Sequence, residues 1–195
     1  MRLGIFGGAF DPVHLGHLLV ADCVRQALRL DRILLVPTFV PPHRRAPAAA
    51  YVHRRSMAEL GCRILPGLEV LAIEERLPSP SYTVDTLAAI RRELPGSRLW
   101  FILGADQYAE MPRWHRPEAL GRVARLAVIS RPGAARPRLW SGHSPARVRF
   151  LDVIPVEISS AAVRARLASG RSVRYMLPTE VDRYIGRHRL YRPAR

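Results

Sequence analysis

Short apolar runs alternate along the chain with longer stretches in which apolar positions recur every three or four residues. The short runs are Arg2–Phe6, Arg32–Val36, Glu69–Ile73, Leu99–Leu103, Arg125–Ile129 and Val148–Val153. The longer stretches are His17–Leu30, Val52–Leu65, Val84–Leu94, the region around Glu118–Val123, Ala161–Ser169 and Thr179–His188. A brief run of Ile, Leu, Val and Phe reads as a strand buried on both faces. A period near 3.6 reads as a helix with one face on a core. Strand then helix, repeated, predicts an α/β class: a Rossmann-like fold with a parallel sheet flanked by helices, which binds ligands at the carboxyl edge of its strands. There is no internal repeat. Arg131–Arg147 is rich in Pro, Gly and Arg and reads as a connection, so residues 1–195 are expected to form one domain.

Polar chemistry concentrates where the first strand meets the first helix, in Gly7-Gly8-Ala9-Phe10-Asp11-Pro12-Val13-His14-Leu15-Gly16-His17. Gly7 and Gly8 lack Cβ, so the backbone can turn sharply and approach a ligand. A helix opening near Gly16 turns free N–H groups and its positive dipole end toward an anion. His14 and His17, three apart, share one side of the opening turn and can donate to phosphate oxygens. Gly16 between them is expected to leave room for a bulky ligand. A glycine turn with one histidine is usually only a turn. Here two glycines, Asp11-Pro12 and both histidines occupy one junction, which predicts a phosphate site.

Four further clusters carry candidate chemistry. Ile158-Ser159-Ser160-Ala161-Ala162-Val163-Arg164 leads into a helix that Ser159 or Ser160 can cap, with Arg164 one turn on from Ser160. Val36-Pro37-Thr38-Phe39-Val40-Pro41-Pro42-His43-Arg44 begins at a strand end and is stiffened by prolines. It is either a surface turn or an anion clamp made by His43 and Arg44. In Ser81-Tyr82-Thr83-Val84-Asp85-Thr86-Leu87, Thr83 suits the N-cap and Asp85 the first turn. Finally, Gly104 closes a strand, Asp106 can accept from ribose hydroxyls, and Trp114 can stack on a flat ring or simply fill the core.

Composition narrows the partners. Hydrophobic residues make up 48% of the chain, enough for a sizeable core. No apolar stretch is long enough to span a membrane, and MRLGIFGG lacks leader architecture, so a cytoplasmic protein is expected. Cys23 and Cys62 are far apart and outside any Cys-x-x-Cys spacing, which predicts reduced thiols. The net charge of +15 comes with 31 basic residues, all arginine. They are scattered, without a long basic run or interleaved aromatics. That pattern favours small anions such as nucleotides over nucleic acid or membrane. Zinc bound by His14, His17 and His43 lacks a supporting cysteine pair, and no protein metal ligand is expected. Self-association is left open.

The segment Gly8–His17 resembles the signature of the nucleotidyltransferases that carry the His-x-Gly-His motif. Ile158–Arg164 is similar to their second signature, Ile-Ser-Ser-Thr-x-x-Arg, with Ala161 in the threonine's place. The Pro-Pro-His-Arg loop, the Tyr-Thr-Val-Asp-Thr segment and the Gly-Ala-Asp…Trp arrangement resemble the nicotinate-nucleotide adenylyltransferase branch. So does the tail from Tyr175-Met176-Leu177-Pro178 to Leu190-Tyr191, which extends the likeness over essentially the whole chain. The resemblance implies adenylyl transfer from ATP to nicotinate mononucleotide, giving deamido-NAD and pyrophosphate in NAD synthesis. Another acceptor, nicotinamide mononucleotide or phosphopantetheine, is the alternative. By the same resemblance His14, His17 and Arg164 act on the phosphates, in an ATP site shared with Gly7, Gly8, Phe10 and Gly16. Gly104, Asp106, Ile158, Ser159 and Ser160 complete that site. Ala9, Phe10, Asp11, His43 and Arg44 would face the acceptor. Tyr82 and Thr83 would lie at its ring carboxylate, Trp114 over the ring and Arg131 on its phosphate. Mg²⁺ is expected on the ATP phosphates.

Overall fold

The computed structural model describes residues 1–42, 46–130, 137–154 and 156–192. Among these residues six strands, β1 (Arg2–Gly8), β2 (Arg32–Pro37), β3 (Leu68–Val70), β4 (Arg98–Gly104), β5 (Arg125–Ser130) and β6 (Val148–Asp152), form one sheet in the order β3-β2-β1-β4-β5-β6. Every pairing is parallel. Around it lie α1 (Leu15–Ala27), α2 (Tyr51–Cys62), α3 (Thr83–Glu93), α4 (Ala105–Glu110), α5 (Pro117–Val123), α6 (Ser160–Ala168) and α7 (Thr179–Arg187). The expected Rossmann-like architecture is the one the chain adopts.

The strand order places the site. From β1 the chain steps outward to β3, then returns beside β1 as β4 and steps outward the other way. The crossovers therefore diverge between β1 and β4 and leave a crevice above their carboxyl ends. Gly8 and Gly104 are the last residues of those two strands.

Strand side chains alternate between two cores although the runs look uniformly apolar. Ile33, Leu35, Trp100, Ile102 and Ala127 join the core beneath α1, α2, α6 and α7. Leu3, Ile5, Leu34, Val36, Phe101 and Val128 join the opposite core with Leu87 and Ile90 of α3. Two departures from the sequence pattern have a physical cause. The run Glu69–Ile73 is strand only over Leu68–Val70, and Ile73 opens a 3-10 turn through Arg76. Ile73 is fully buried in the second core, so its apolar character marks burial, not extension. α4 has only six residues, too few to show a helical period, yet it buries Tyr108.

Gly4 leaves room for side chains of the neighbouring strands and of the connection between α1 and β2. A Cβ at this position would lie 2.9 Å from both Ile33 Cγ1 and Leu30 Cδ1. We expect Gly4→Val to destabilise the fold by about 1–3 kcal/mol, through overpacking of a dense core. Urea denaturation should show a lower midpoint with an unchanged slope, and an unchanged midpoint would contradict this packing.

Candidate functional site

α1 opens at Leu15, two residues before the expected start, because His14 is its N-cap in extended backbone (φ −143°, ψ 168°). The cap is reciprocal. His17 N–H donates to His14 Nδ1 at 3.3 Å, and His14 N–H donates to His17 Nδ1 at 3.2 Å. The two rings stack, with centroids 3.6 Å apart and planes 24° from parallel. Each Nδ1 thus accepts from an amide, so each neutral imidazole carries its proton on Nε2. The helix start presents two like-oriented N–H donors fixed by the backbone.

The glycines serve differently from the sequence expectation. A Cβ at Gly16 would sit 3.0 Å from His14 Nδ1, so the room it leaves is taken by His14's own ring. The left-handed residue of the turn is Phe10 (φ +48°), not Gly7 or Gly8. Gly8 instead admits the Phe10 ring, which a Cβ there would meet at 3.2 Å. Phe10 then packs edge-on against His17, with centroids 5.1 Å apart. Two amides of the first turn are also committed. Leu15 N–H donates to Met176 O at 2.9 Å, and His17 N–H is held by His14.

Burial without a counter-charge pushes both imidazoles down, His14 to about 4 and His17 well below its ordinary value. For His17 the neighbouring His14 adds to that effect. Both are therefore neutral near pH 7.

α6 brings the second cluster to the same turn. Ser159 is its N-cap and accepts from Ala162 N–H at 3.1 Å. Ser160 is not the cap: its hydroxyl donates to Pro12 O at 2.9 Å. Arg164 Nη1 donates to Asp11 O at 2.6 Å and lies 3.6 Å from Asp11 Oδ2. The Asp11 carboxylate is committed to the protein. Oδ2 accepts from Ala48 N–H at 2.7 Å, while Oδ1 accepts from Ala49 N–H at 3.1 Å and from the Tyr191 hydroxyl at 2.7 Å. Ile158 lies half-buried just before the cap, against the first core.

Across the crevice, Gly104 precedes α4 and its N–H donates to Gln107 Oε1 at 3.2 Å, while Asp106 is exposed in the first turn of α4. Trp114 is half-buried and edge-on to Phe101, with centroids 6.3 Å apart. Tyr82, not Thr83, occupies the N-cap position of α3, and no side chain caps that helix. Tyr82 stacks on His115 at 4.2 Å, and Asp85 pairs with Arg116. His43, Arg44 and Arg131 lie outside the described residues.

Two buried charges organise these loops: Arg54, which the sequence offered only as part of the family likeness and without a role, and Glu74, which it did not mark. Arg54 of α2 is 1% exposed and donates to Ala49 O at 3.2 Å, Ala9 O at 2.7 Å and Phe39 O at 3.4 Å. It thereby ties the first turn to the loop after β2. Glu74 accepts from Phe39 N–H and from the Thr86 hydroxyl, each at 2.9 Å, and links that loop to α3. Arg54 lies on the buried stripe with Met57, Ala58 and Gly61. A charge on an otherwise apolar helical stripe was the available signal. Among the described residues no group of three His, Cys, Asp or Glu is placed to hold a metal ion. Nor is any helix there long and apolar enough to cross a membrane.

The lowered histidines set a pH dependence. The unfolded chain takes up protons near the ordinary value of 6.5, whereas His14 resists until about 4. We therefore expect stability to be complete above about pH 6.5 and to fall as the pH drops toward 4, at a rate on the order of 1 kcal/mol per pH unit for His14. Thermal melts between pH 7 and 4.5 should show the decline, and His14→Asn should flatten it. An equal slope in that variant would contradict the assignment.

The geometry has counterparts in known proteins. The profile of the cytidylyltransferase-like family matches residues 5–166. A "Probable nicotinate-nucleotide adenylyltransferase" of Thermomicrobium roseum is 39% identical over 98% of this chain and 92% of its own length. The protein of the same name from Thermus thermophilus is 44% identical over 98% and 100%. Among solved structures, Plasmodium falciparum nicotinic acid mononucleotide adenylyltransferase complexed with NaAD superposes with a TM-score of 0.78. It covers 97% of each chain at 18% identity, a likeness of fold. The two signatures that meet at the β1–α1 turn thus sit in a chain whose relatives match it end to end: it belongs to the cytidylyltransferase-like family, among the nicotinate-nucleotide adenylyltransferases.

Proposed function

We propose that this enzyme transfers the adenylyl group of ATP to nicotinate mononucleotide, forming deamido-NAD and pyrophosphate in NAD synthesis. The observation that carries the mechanism is the reciprocal histidine cap: two Nε2–H donors fixed at the carboxyl end of β1, where the crossovers diverge. The acceptor's phosphate oxygen attacks the α-phosphorus in line. The bond from that phosphorus to the oxygen leading to the β-phosphate breaks, and pyrophosphate leaves with the electron pair. The nucleophile is already anionic, so no general base and no protein nucleophile are required. Catalysis is then orientation and stabilisation of charge on the phosphate oxygens. His14 and His17 donate through Nε2, and Arg164 donates through the guanidinium edge that Asp11 leaves uncommitted. A divalent ion such as Mg²⁺ would be held through the nucleotide's phosphates and would supply charge neutralisation there; no side chain of this chain is assigned to it. This reading keeps the enzyme in the cytoplasm with its nucleotide substrates.

On the acceptor side, Thr83 lies at the pyridine carboxylate and Trp114 covers the ring. Amide donors there favour the acid, because a carboxamide would present its own N–H₂ to them. A coupled pyrophosphate-release assay should show turnover with nicotinate mononucleotide and much less with nicotinamide mononucleotide or phosphopantetheine. Equal rates for acid and amide would refute the acceptor assignment. His17→Ala should lower kcat by about 10²–10³-fold, the loss typical of one preorganised donor to a developing charge, and change the KM for ATP much less. An unchanged kcat would remove His17 from the mechanism.

A further inference from the structure

Arg164 is a long, flexible side chain asked to meet a phosphate in one orientation, and the means of holding it comes from the far end of the chain. Its Nη1 is anchored on Asp11, by the carbonyl at 2.6 Å and the carboxylate at 3.6 Å. The carbonyl anchor belongs to the backbone; the carboxylate adds a charge at ion-pair distance, and it does so in one geometry only if it is itself fixed. Asp11 is 4% exposed, and the Ala48 and Ala49 amides hold its carboxylate from the side of α2. From the other side, among the described residues, it is held by the Tyr191 hydroxyl at 2.7 Å, 180 residues away in sequence. Tyr191 follows α7 in left-handed backbone (φ +62°), and with Leu190 it packs against the first core. Burial and the adjacent Asp11 carboxylate push its phenol up, so it remains a donor throughout the working pH range.

We propose that Tyr191 is a positioning residue for adenylyl transfer: its hydroxyl fixes the Asp11 carboxylate, which in turn holds Arg164 with Nε and Nη2 turned to the triphosphate. This rests on the function proposed above only for the identity of the phosphate. The tie itself is a property of the free protein. The geometry also explains why an aspartate follows Phe10. A carboxylate accepts two amides and a phenol and still attracts a guanidinium at ion-pair distance, which a neutral side chain of the same size cannot.

The test is Y191F in the full chain, which deletes one oxygen and keeps the ring in the core. We expect kcat to fall about tenfold, the size of one lost buried hydrogen bond to a charged group. The KM values for ATP and nicotinate mononucleotide should stay within about twofold. In an R164K background the same substitution should cost nothing further, because the group it positions is gone. A tenfold loss in both backgrounds, or no loss in either, would overturn the proposal. So would a raised acceptor KM at constant kcat, which would place Asp11 at the acceptor instead. The second readout needs no turnover. The Arg164 Nε–H signal in ¹⁵N NMR, identified by its absence in R164K, should be sharp in the wild-type chain and broadened in Y191F. If the wild-type chain fails to release pyrophosphate with nicotinate mononucleotide, the function is wrong but this signal still decides the tie. An unchanged signal in Y191F would refute the tie whatever the substrate.

Discussion

Two imidazoles that cap each other's backbone amides are the constraint from which the site follows. A helix start must satisfy its leading N–H groups, and α1 does so with the same two histidines that are proposed to meet the phosphates. One pair of hydrogen bonds therefore fixes ring orientation, proton position and helix origin together. Burial holds both rings neutral, and neutrality keeps Nδ1 available as an acceptor. A protonated ring would lose that acceptor and break the cap. The stacking of the rings at 3.6 Å makes joint protonation costlier still without a bound anion.

Around this cap the loops at the carboxyl edge are joined by buried charges more than by apolar contact. Asp11 gathers the segment before α2, the α6 arginine and the C-terminal tyrosine. Arg54 gathers three carbonyls from two loops, Ala9 of the first turn and Phe39 and Ala49 at either end of the connection between β2 and α2. Glu74 joins the loop after β2 to α3. A charge removed from water must be paired or hydrogen-bonded, so each of these groups fixes the loops that satisfy it. Apolar packing then builds the sheet and its two cores, and polar satisfaction sets the crevice above them.

The sheet was legible in sequence because doubly buried strands are continuous apolar runs, as in β1, β2, β4 and β5; the edge strands β3 and β6 carry exposed Glu69, Arg149 and Asp152 and read less cleanly. The site was legible where residue types were rare and crowded, as at Gly7–His17 and Ile158–Arg164. Legibility failed where a familiar residue was passed over for an unfamiliar one. Thr83 looks like an N-cap, yet the helix starts on it and Tyr82 precedes it, while Thr86 bonds Glu74. His14 does not look like a cap, yet its extended backbone and Nδ1 make it one. Gly16 reads as space for a ligand and proves to be space for His14. Tyr191 and Asp11 meet only through the tertiary fold, and no local pattern joins residues so far apart in sequence.

The claim beneath all of this is that both histidines enter the reaction as Nε2–H tautomers locked by the backbone. Long-range ¹⁵N–¹H correlation of the histidine rings near pH 7.5, before and after addition of a non-hydrolysable ATP analogue, reads this directly. The account requires unprotonated Nδ1 and protonated Nε2 in both His14 and His17 of the free protein, with both Nε2 signals shifting when the nucleotide binds. An Nδ1–H tautomer at either position, or two Nε2 signals indifferent to the nucleotide, would contradict it.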